Sequence, residues 1–515
     1  MNVVLIHPYI KVREIETYMT EPLGLLCLAS YLDSVFGSEV KVTILDLYAL
    51  GAENPTEEDG LICLGVSDPA QIDAELVSLK PDLIGIHCNF TAYAKDSLDI
   101  ADIAKQCFPN VPIVIGGAHP TIEAESILHD CQSIDYVARG EGERILENLV
   151  RCLKGEIGID DVKGLVHRKA LNDAGDEQLV TNAVNPLIKD LTTLPIPSRK
   201  YIDMDKYNYF NKQSMWYVKN SPVATIMTSR GCPFDCVFCS TKVVWTRKWR
   251  DMGLEKVFEE IEMLVRDYGI REIVIVDDQF MTRKKRIHAF CDYFIERKLD
   301  LTFWYESGTS TWLIDEPQLR KMRQAGFYAI RLPVESGSEA TMKFIKKPVD
   351  LTRTIETIKI ANKLGYWTSA NFIIGFPYET REEIMETISY AYKSALDYSF
   401  FFIAKPNSGS ELSGILEKEG LINQDNIRAS HYFRSDYDTK TMTTRELNEI
   451  VNKAESDWFT HKLLFFMVPK NFYNHFWPKV KTFDDIRYFL HVVFTMSRRK
   501  IWPIVMRKFS KPSSV

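Results

Sequence analysis

A segment of eight residues constrains this chain more than any other, because it carries three cysteines. Cys232, Cys236 and Cys239 follow the spacing C-x3-C-x2-C on a loop that opens with a glycine and contains a proline. Thiolates at this spacing can bind three corners of an iron-sulfur cube, whereas a complete cluster normally takes four thiolates. One iron is therefore left open, which is typical of a cluster that binds and reduces a substrate or cofactor.

A zinc site is the alternative for these cysteines. Structural zinc takes four ligands, usually from two C-x2-C pairs. The nearest downstream candidates, His288 and Cys291, lie about fifty residues away and form no second pair. The spacing therefore favours an iron-sulfur cluster.

With Phe238 in the aromatic slot before the third cysteine, the loop resembles the signature of the radical S-adenosylmethionine (SAM) superfamily. The resemblance implies a 4Fe-4S cluster whose open iron binds SAM. Reduction of the cluster, by a donor such as flavodoxin or ferredoxin, then cleaves SAM to methionine and a 5'-deoxyadenosyl radical. That radical removes hydrogen from an unactivated carbon.

The chain has 515 residues, more than one hydrophobic core usually supports, so two to four domains are expected. Ten cysteines without a signal peptide are typical of a protein from a reducing compartment. No run of about twenty apolar residues predicts a spanning helix. We expect a cytoplasmic protein that has no nucleic-acid partner.

Residues 1–155 alternate short apolar strands with amphipathic helices. This rhythm predicts βαβ units and a doubly wound, Rossmann-like parallel sheet, whose ligands lie outside the carboxyl ends of the strands. The predicted strands are Val3–Ile6, Val40–Leu45, Leu83–His87, Ile113–Ile115 and Tyr136–Ala138, and the predicted helices are Leu23–Leu32, Ala94–Lys105 and Glu143–Leu153.

Four loops at the predicted carboxyl ends resemble the cobalamin-binding domain that precedes the barrel in one large class of radical SAM enzymes. The cobalamin-binding residues that the resemblance implies are Tyr48, Asn89, Thr91, Gly116, Gly117, His119, Glu141 and Gly142. Cobalamin methyltransferases and mutases carry Asp-x-His-x-x-Gly, and the matching residues here are Asp46, Tyr48 and Gly51. Cobalamin is therefore expected to bind without a protein nitrogen on its lower face. A Rossmann-like domain that binds a nucleotide or nothing stays the alternative, although the first βα turn has no G-x-G-x-x-G.

Residues 156–220 are irregular and predict a linker with a β-hairpin, whereas residues 221–415 return to alternating strands and helices. Six βα units are typical of a partial parallel barrel, (βα)6, whose chemistry sits at the carboxyl ends of the strands. The predicted strands are Ala224–Thr228, Glu272–Val276, Leu301–Tyr305, Tyr328–Val334, Thr368–Ile374 and Phe400–Ala404, and the predicted helices are Leu254–Tyr268, Lys284–Arg297, Pro317–Ala325, Leu351–Leu364 and Glu382–Ala395.

The resemblance places SAM-binding groups at successive strand ends of this barrel. The implied residues are Phe238, Asp277, Asp278, Glu335, Ser336, Gly375 and Pro377, the last two in a Gly-x-Pro-x-Glu-Thr turn that also contains Glu379. Adjacent residues of a strand point to opposite faces, so we expect one of Asp277 and Asp278 to face the cavity. Tyr305 is a candidate catalytic residue, and with Glu306 and Asp277 it is a candidate general base by strand-end position.

Residues 416–515 are predicted to be a helical C-terminal domain. From Trp458 to Val515 the chain has eleven lysines and arginines against two aspartates, interleaved with fourteen Phe, Tyr and Trp, whereas the whole chain carries a formal net charge of −7. Two interpretations stay open. The region closes the open side of the barrel, or part of it lies on an anionic membrane surface, which would favour a lipid substrate.

Together these features predict a cobalamin-dependent radical SAM enzyme that methylates an unactivated carbon of a small-molecule or lipid substrate. In the mechanism that the resemblance implies, methylcobalamin gives its methyl group to the substrate radical and a second SAM remethylates the cobalt. One alternative keeps both cofactors but oxidises, cyclises or rearranges the substrate without methyl transfer, as the anaerobic porphyrin cyclases do. A cobalamin-binding sensor or carrier is another, although it leaves the cluster loop without a purpose.

Overall fold

The computed structural model of the protein describes residues 1–12, 20–51, 53–58, 60–170, 177–213, 218–422 and 437–500. Two α/β units and a helical C-terminal region follow one another along the chain. The predicted fold class, a doubly wound domain followed by a partial barrel and a helical C-terminal region, is confirmed.

Ten strands are described in the first unit. They are β1 (Asn2–His7), β2 (Ile10–Val12), β3 (Lys41–Asp46), β4 (Thr56–Glu58), β5 (Leu61–Leu64), β6 (Leu83–His87), β7 (Ile113–Gly116), β8 (Tyr136–Ala138), β9 (Leu165–Ala170) and β10 (Glu177–Thr181). Seven form one sheet in the order β10-β9-β8-β7-β6-β1-β3, and β2, β5 and β4 form a small antiparallel sheet that the sequence pattern did not predict. The predicted hairpin is present as β9 and β10, and it extends the large sheet.

The strands from β3 to β8 in the large sheet are parallel, which explains their continuous apolar runs. Each of the five predicted strands is found within one residue of its predicted ends. Because β3 lies on one side of β1 and β6 on the other, the topological switch point falls between β1 and β6. Ligands of such a sheet bind at that point, beyond the carboxyl ends of the strands.

Helices cover both faces of this sheet. They are α1 (Leu23–Phe36), α2 (Leu47–Gly51), α3 (Pro69–Leu79), α4 (Ala94–Cys107), α5 (Ala118–Asp130) and α6 (Gly142–Leu153). One apolar core joins the sheet to α1 and α6, and a second joins its other face to α3, α4 and α5. The sequence analysis missed α3 and α5, although Asp68 caps α3 and Pro69 opens it, as helix starts often do.

A short helix, α7 (Met204–Gln213), precedes the barrel. The strands of the second unit are β11 (Val223–Ile226), β12 (Ser229–Arg230), β13 (Arg250–Asp251), β14 (Glu272–Ile275), β15 (Thr302–Tyr305), β16 (Ala329–Glu335), β17 (Trp367–Ile374) and β18 (Tyr398–Ile403). Six are parallel, in the groups β11-β14-β15 and β16-β17-β18, and a bridge between Phe303 and Phe327 connects the groups. Each predicted barrel strand is found within two residues of its predicted ends.

The barrel helices alternate with these strands. They are α8 (Thr241–Trp245), α9 (Leu254–Tyr268), α10 (Lys284–Arg297), α11 (Glu316–Ala325), α12 (Glu339–Phe344), α13 (Leu351–Leu364), α14 (Arg381–Lys393) and α15 (Glu411–Lys418). Three of the five predicted helices, α9, α10 and α13, have the predicted bounds. The amphipathic period of the sequence therefore locates the outer layer of the barrel well.

The described part of the C-terminal region contains α16 (Thr444–Met467), α17 (Pro469–Phe476) and α18 (Phe483–Lys500). The first of these packs along β18, the last barrel strand, and buries Leu447 and Trp458 in the barrel core. Helices α17 and α18 lie at the amino-terminal end of the barrel. There Asp397, which directly precedes β18, pairs with Lys479 and with His475, whose Nε2 lies 2.8 Å from Asp397 Oδ1. Helix α16 thus covers β18, whereas α17 and α18 cover the end of the barrel opposite the predicted chemistry.

Within the described residues, no helix has both the length and the apolar character that crossing a membrane requires.

Candidate functional site

The three cysteines lie on the loop that follows the first barrel strand. After β11 the chain forms a two-stranded ribbon from β12 and β13, and the cysteines follow β12 directly. Cys232, Cys236 and Cys239 are all partly exposed. The loop therefore stands at the carboxyl end of the barrel, as predicted.

Two adjacent aspartates that follow β14, Asp277 and Asp278, accept hydrogen bonds from residues at the start of this loop. Asp277 is fully buried, and its carboxylate accepts hydrogen bonds from Thr228 N and Oγ1 at 2.6 and 2.7 Å and from Ser229 Oγ at 2.5 Å. Asp278 is partly exposed, and its Oδ2 accepts one hydrogen bond, from Gly231 N at 3.1 Å. Of the two predicted SAM-binding carboxylates, Asp278 has free acceptor capacity at the site and Asp277 anchors the loop.

Glycine is required at position 231, beside the first cysteine. Its φ is +89°, and a Cβ there would lie 2.4 Å from the carbonyl oxygen of Lys248. Burial raises the pKa of Cys232 and Cys236 to about 11, so cluster assembly must displace protons from both thiols. Burial also raises the pKa of Asp278 to about 6.

The geometry of the loop fits a cluster. The three cysteines lie together in the loop between β12 and β13. Among the residues that the structure describes, no three His, Cys, Asp or Glu side chains converge on a single ion. A 4Fe-4S cluster does not need such convergence, because each of its thiolates binds a different iron.

A buried ion pair that the sequence analysis missed faces the cluster loop. Lys347 Nζ lies 2.6 Å from Glu335 Oε1, and both side chains are 7% exposed. The same ammonium lies 5.8 Å from the ring centre of Phe238 and 6.0 Å from that of Trp312. Lys347 stands in a lysine-rich stretch that resembles an exposed surface, so its burial has no local signal in the sequence.

Glu335, at the end of β16, has an unusual backbone. Its φ is +71°, and the register of β16 against β17 shifts between Pro333 and Glu335. Non-glycine residues rarely adopt this conformation, and such strain is often found at functional sites. The bulge re-aims the carboxylate toward Lys347 and the cluster loop.

The predicted Gly-x-Pro-x-Glu turn is closed by its own glutamate. Glu379 Oε2 accepts hydrogen bonds from Gly375 N at 2.7 Å and from Phe376 N at 3.3 Å. Gly375 has a φ of +81°, and the Pro377 carbonyl accepts a hydrogen bond from Lys440 N at 3.1 Å. The ring of Phe376 lies 6.3 Å from that of Phe238, so the turn borders the cluster loop.

Two further predicted residues are buried and have partners within the fold. Ser336 Oγ lies 2.9 Å from Thr387 Oγ1 and accepts a hydrogen bond from Ser338 N at 3.1 Å. The hydroxyl of Tyr305 accepts a hydrogen bond from Phe280 N at 3.0 Å, and burial raises its pKa well above the usual value. The structure therefore keeps Tyr305 protonated and held in place.

At the carboxyl edge of the first sheet, the loops after β6 and β7 meet. Gly117 has a φ of +128°, and a Cβ there would lie 2.3 Å from the carbonyl oxygen of Cys88. Asn89 Oδ1 accepts a hydrogen bond from Ala118 N at 3.3 Å. The absence of a side chain at Gly117 lets these two loops pack backbone to backbone, at the carboxyl edge beside the switch point, where ligands of such a sheet bind.

Three other predicted cobalamin residues lie at the same carboxyl edge. Thr91 Oγ1 lies 3.1 Å from Nδ1 of His119, the second residue of α5. This contact joins the loop after β6 to the helix that follows β7. Gly116 ends β7, and a Cβ there would make ordinary contact, 3.6 Å from Ala138 Cβ.

The Asp46–Gly51 segment follows the edge strand β3. Asp46 Oδ1 lies 3.0 Å from His7 Nδ1, and its Oδ2 accepts a hydrogen bond from the hydroxyl of Tyr207 at 2.5 Å. Tyr48 is buried, with its ring centre 5.4 Å from that of His7. Linker helix α7 therefore occupies the space beside this carboxylate through Tyr207.

Two histidines flank the switch point itself, at the ends of β1 and β6. The rings of His7 and His87 lie 6.0 Å apart, and burial lowers the pKa of His87 to about 3, which keeps its ring neutral. The sequence analysis ended a predicted strand at His87 but assigned neither histidine to a ligand. The strand order that brings them together could not be read from local pattern.

The two units meet at four buried charges. Arg230 Nη1 donates to Glu141 Oε1 at 2.8 Å, and its Nη2 donates to Glu143 Oε1 at 2.5 Å. Arg250, opposite Arg230 in the ribbon, donates to Glu141 at 2.9 Å. We name these four side chains the interdomain clamp. Gly142 lies between the two glutamates, and a Cβ there would lie 3.0 Å from Leu28 Cδ2.

Comparison with known proteins agrees with this division. The family model of the Radical SAM superfamily matches residues 226–391, and that of the B12 binding domain matches residues 16–150. The chain is 33% identical over 433 residues to an uncharacterized methyltransferase of Pyrococcus horikoshii, covering 84% of this chain and 86% of that one.

Two other relatives carry named activities. The chain is 30% identical to the cytidylyl-2-hydroxyethylphosphonate methyltransferase of Streptomyces wedmorensis, with 79% of each chain covered. It is 29% identical to the anaerobic magnesium-protoporphyrin IX monomethyl ester cyclase of Rubrivivax gelatinosus, with 64% of this chain and 56% of the cyclase covered.

A solved structure shares the fold. The cobalamin-dependent SAM radical enzyme OxsB, with aqua-cobalamin and SAM bound, aligns with a TM-score of 0.69 at 18% identity. The alignment covers 97% of this chain and 71% of OxsB. The order of sheet, barrel and C-terminal helices is thus an arrangement that occurs in a solved protein.

Changing Cys232, Cys236 or Cys239 to Ala removes one of the thiolates, so each variant is expected to lose the visible absorption of a 4Fe-4S cluster. Formation of 5'-deoxyadenosine from SAM should cease with it. Anaerobic reconstitution, absorption spectroscopy and chromatography of the nucleoside measure both. Cys107→Ala is the matched control, because Cys107 is another partly exposed thiol, on α4. Normal absorption in a variant with all three cysteines changed to Ala, or stoichiometric zinc in the anaerobically purified protein, would contradict the assignment of a 4Fe-4S cluster.

Gly116 and Gly117 offer a matched pair for the cobalamin loop. Gly117→Ala forces a Cβ against the Cys88 carbonyl and should weaken hydroxocobalamin binding by about tenfold, since backbone strain of this kind costs about 1–3 kcal/mol. Gly116→Ala should bind almost as the wild type does. Titration followed by the absorption spectrum gives both affinities, and equal affinities in the two variants would show that the loop does not form the site.

Proposed function

Because the chain belongs to the family of radical SAM enzymes that carry a B12 binding domain, we propose that it transfers a methyl group to an unactivated carbon of a small-molecule or lipid substrate. The cofactors of this family are a 4Fe-4S cluster, SAM and cobalamin. An external electron donor, such as a flavodoxin or ferredoxin, completes the proposal, because SAM cleavage consumes an electron.

One observation carries the proposal. Arg230, two residues before the first cluster cysteine, is bonded to Glu141 and Glu143, which follow the carboxyl end of β8 in the first sheet. The edge that fits cobalamin and the loop that fits the cluster are therefore adjacent. Adjacent cofactor sites support a single active site that uses both cofactors on one substrate.

When bound, the cofactors supply hydrogen-atom removal from carbon and a methyl group carried on cobalt. The protein binds and orients them. The three cysteines would hold the cluster, and the carboxylates of Asp278 and Glu335 suit the ammonium and ribose hydroxyls of SAM. Lys347 was not identified in the sequence analysis. Its ammonium, which is paired with Glu335, suits the carboxylate of SAM.

Aromatic rings surround these charged groups. Phe234 packs edge-on against Trp312 with ring centres 5.2 Å apart, and Phe376 packs against Phe344 at 5.9 Å. Apolar walls of this kind lower the local dielectric constant, which strengthens the charged contacts and limits the access of water to reactive species.

A second candidate function is oxidative cyclisation or rearrangement without methyl transfer. The similarity to the cyclase of Rubrivivax gelatinosus favours it, since its identity is 29% against 30% for the phosphonate methyltransferase, although over 64% rather than 79% of this chain. Both functions use the same cofactors, so the product decides between them.

Reconstituted enzyme, given cobalamin, a reductant and SAM against extracts of the native host, is expected to produce a compound about 14 daltons heavier than its precursor. With trideuteromethyl SAM the gain should rise by about three daltons, because the transferred group carries the label. Mass spectrometry measures both, and the Cys232→Ala protein is the control. Substrate turnover with a mass loss or no label would overturn methyl transfer and support the second candidate.

We also propose that the C-terminal helices contact an anionic membrane surface. Large apolar side chains are exposed on them, including Met467, Tyr473, Trp477 and Phe483, which is 78% exposed. Exposed Lys470, Lys481 and Arg487 lie among them, and each basic group near an anionic surface adds about 1 kcal/mol of attraction. Tyrosine and tryptophan suit the headgroup layer.

This surface lies at the amino-terminal end of the barrel, away from the cluster loop. Membrane contact through it would attach the enzyme without pressing the site against the bilayer. Membrane contact through this surface therefore gives no support for a lipid substrate, although the sequence analysis linked the two.

Intact protein is expected to pellet with anionic vesicles at low salt and to remain in solution at high salt. The triple change Trp477→Ser, Phe483→Ser and Leu490→Ser should reduce pelleting, since all three side chains are exposed. Val184→Ser is the control, because Val184 is exposed elsewhere. Truncation before α17 would be unsuitable, because Lys479 and His475 are buried against the barrel. If intact protein stays in the supernatant at low salt, the membrane proposal fails.

A further inference from the structure

The interdomain clamp is an unusual way to join two domains. The side chains of Arg230, Glu141 and Glu143 are each no more than 4% exposed, and that of Arg250 is 9% exposed. Burial alone would raise the pKa of Glu143, but the adjacent Arg230 outweighs it and holds that pKa below its usual value. The clamp therefore pairs the ionised carboxylate of Glu143 with Arg230, and all four of its side chains are largely shielded from water.

Stability does not explain such an arrangement. Removing two opposite charges from water costs about as much as their attraction returns, and apolar replacements are often as stable. Moreover, Arg230 Nε and the Nε and Nη2 of Arg250 are buried without a hydrogen-bond partner among the described residues. Each unmet donor costs about 1–3 kcal/mol. The ion pairs instead fix the orientation of Arg230 relative to the first domain, because its planar guanidinium binds two separate carboxylates in one geometry.

That orientation is transmitted to the cluster loop over a very short path. Gly231, between Arg230 and Cys232, is held by Asp278 on one side and fits closely against Lys248 on the other. A displacement of Arg230 would therefore move Cys232. On the other side of the clamp, Glu141 directly precedes α6 and Glu143 lies in its first turn.

Glu141 was predicted to bind cobalamin, but its carboxylate is fully engaged. Its Oε1 accepts from Arg230 at 2.8 Å and from Arg250 at 2.9 Å. Its Oε2 accepts from Ile188 N at 2.6 Å and from Arg250 at 3.0 Å. No acceptor capacity is left for a ligand, so this residue acts on the site through its protein partners.

We infer that Glu141 and Glu143 are positioning residues, which lock the cluster loop to the B12 binding domain and so couple the use of the two cofactors. The inference rests on the proposed function only in that both cofactors serve one site. The clamp should therefore affect a reaction that needs both domains and spare one that needs the barrel alone.

Hydrogen exchange on the protein without cofactors tests the lock directly. Glu143→Gln and Arg230→Lys should each speed exchange of the backbone amides in residues 228–232 and 139–143 by about tenfold. Asp397→Asn is the matched control, because it removes a buried, paired carboxylate at the opposite end of the barrel. That control should leave exchange in both loops unchanged even though it destabilises the protein.

Two reactions of the loaded enzyme then test the coupling without any substrate. Cleavage of SAM to 5'-deoxyadenosine needs the cluster, whereas methylation of reduced cobalamin by SAM needs cobalt to reach SAM across the interface. In Glu143→Gln the second rate should fall by about tenfold or more while the first stays within about twofold, since small misplacements of reacting groups are costly. Arg230→Lys keeps the positive charge but loses the planar guanidinium that binds two carboxylates. Its rate of cobalamin methylation should lie between those of Glu143→Gln and the wild type.

The outcomes separate the possibilities. Unchanged exchange in both variants would overturn the lock, and a parallel fall of both reaction rates would show a purely structural role. If wild-type protein forms no methylcobalamin at all, the proposed methyl transfer fails, and the exchange experiment still decides whether the lock exists.

Discussion

The buried ion pairs between Arg230 and the two glutamates of the first domain are the contact on which the site depends. They join the carboxyl edge of one parallel sheet to the carboxyl end of another through the ribbon that leads to the cysteines. Each unit alone would place its ligand at its own strand ends. Because the clamp brings these ends together, cluster, SAM and cobalamin can serve one cavity.

The site has a strained backbone at Glu335 and buried charges, whereas the opposite end of the barrel is closed by helices. Glu335 keeps a left-handed backbone and a buried pair with Lys347, and Gly231 and Gly375 also have positive φ. At the amino-terminal end, Asp397 pairs with Lys479 and His475, and C-terminal helices cover the strands. This division agrees with the general rule that barrels place chemistry at one end and support at the other.

Local pattern predicted the elements well, because strand and helix periods and the cysteine spacing are local properties. It located the cluster loop, and it indicated that Asp277 and Asp278 diverge without showing which one faces the site. It missed the burial of Lys347 and the protein partners of the Glu141 carboxylate, because both depend on residues distant in sequence. The position of α17 and α18 was unpredictable for the same reason. Only the fold brings Lys479 to Asp397.

The central claim is that the cluster and cobalamin occupy one site across the domain interface. Electron paramagnetic resonance tests it directly, because cob(II)alamin and the reduced cluster are both paramagnetic. On reduction of the cluster, the cob(II)alamin lines are expected to broaden in the wild type and to stay sharp in Cys232→Ala, which cannot hold the cluster. Cobalamin lines that are identical with the cluster oxidised and reduced would show that the two centres lie far apart, and would contradict the account.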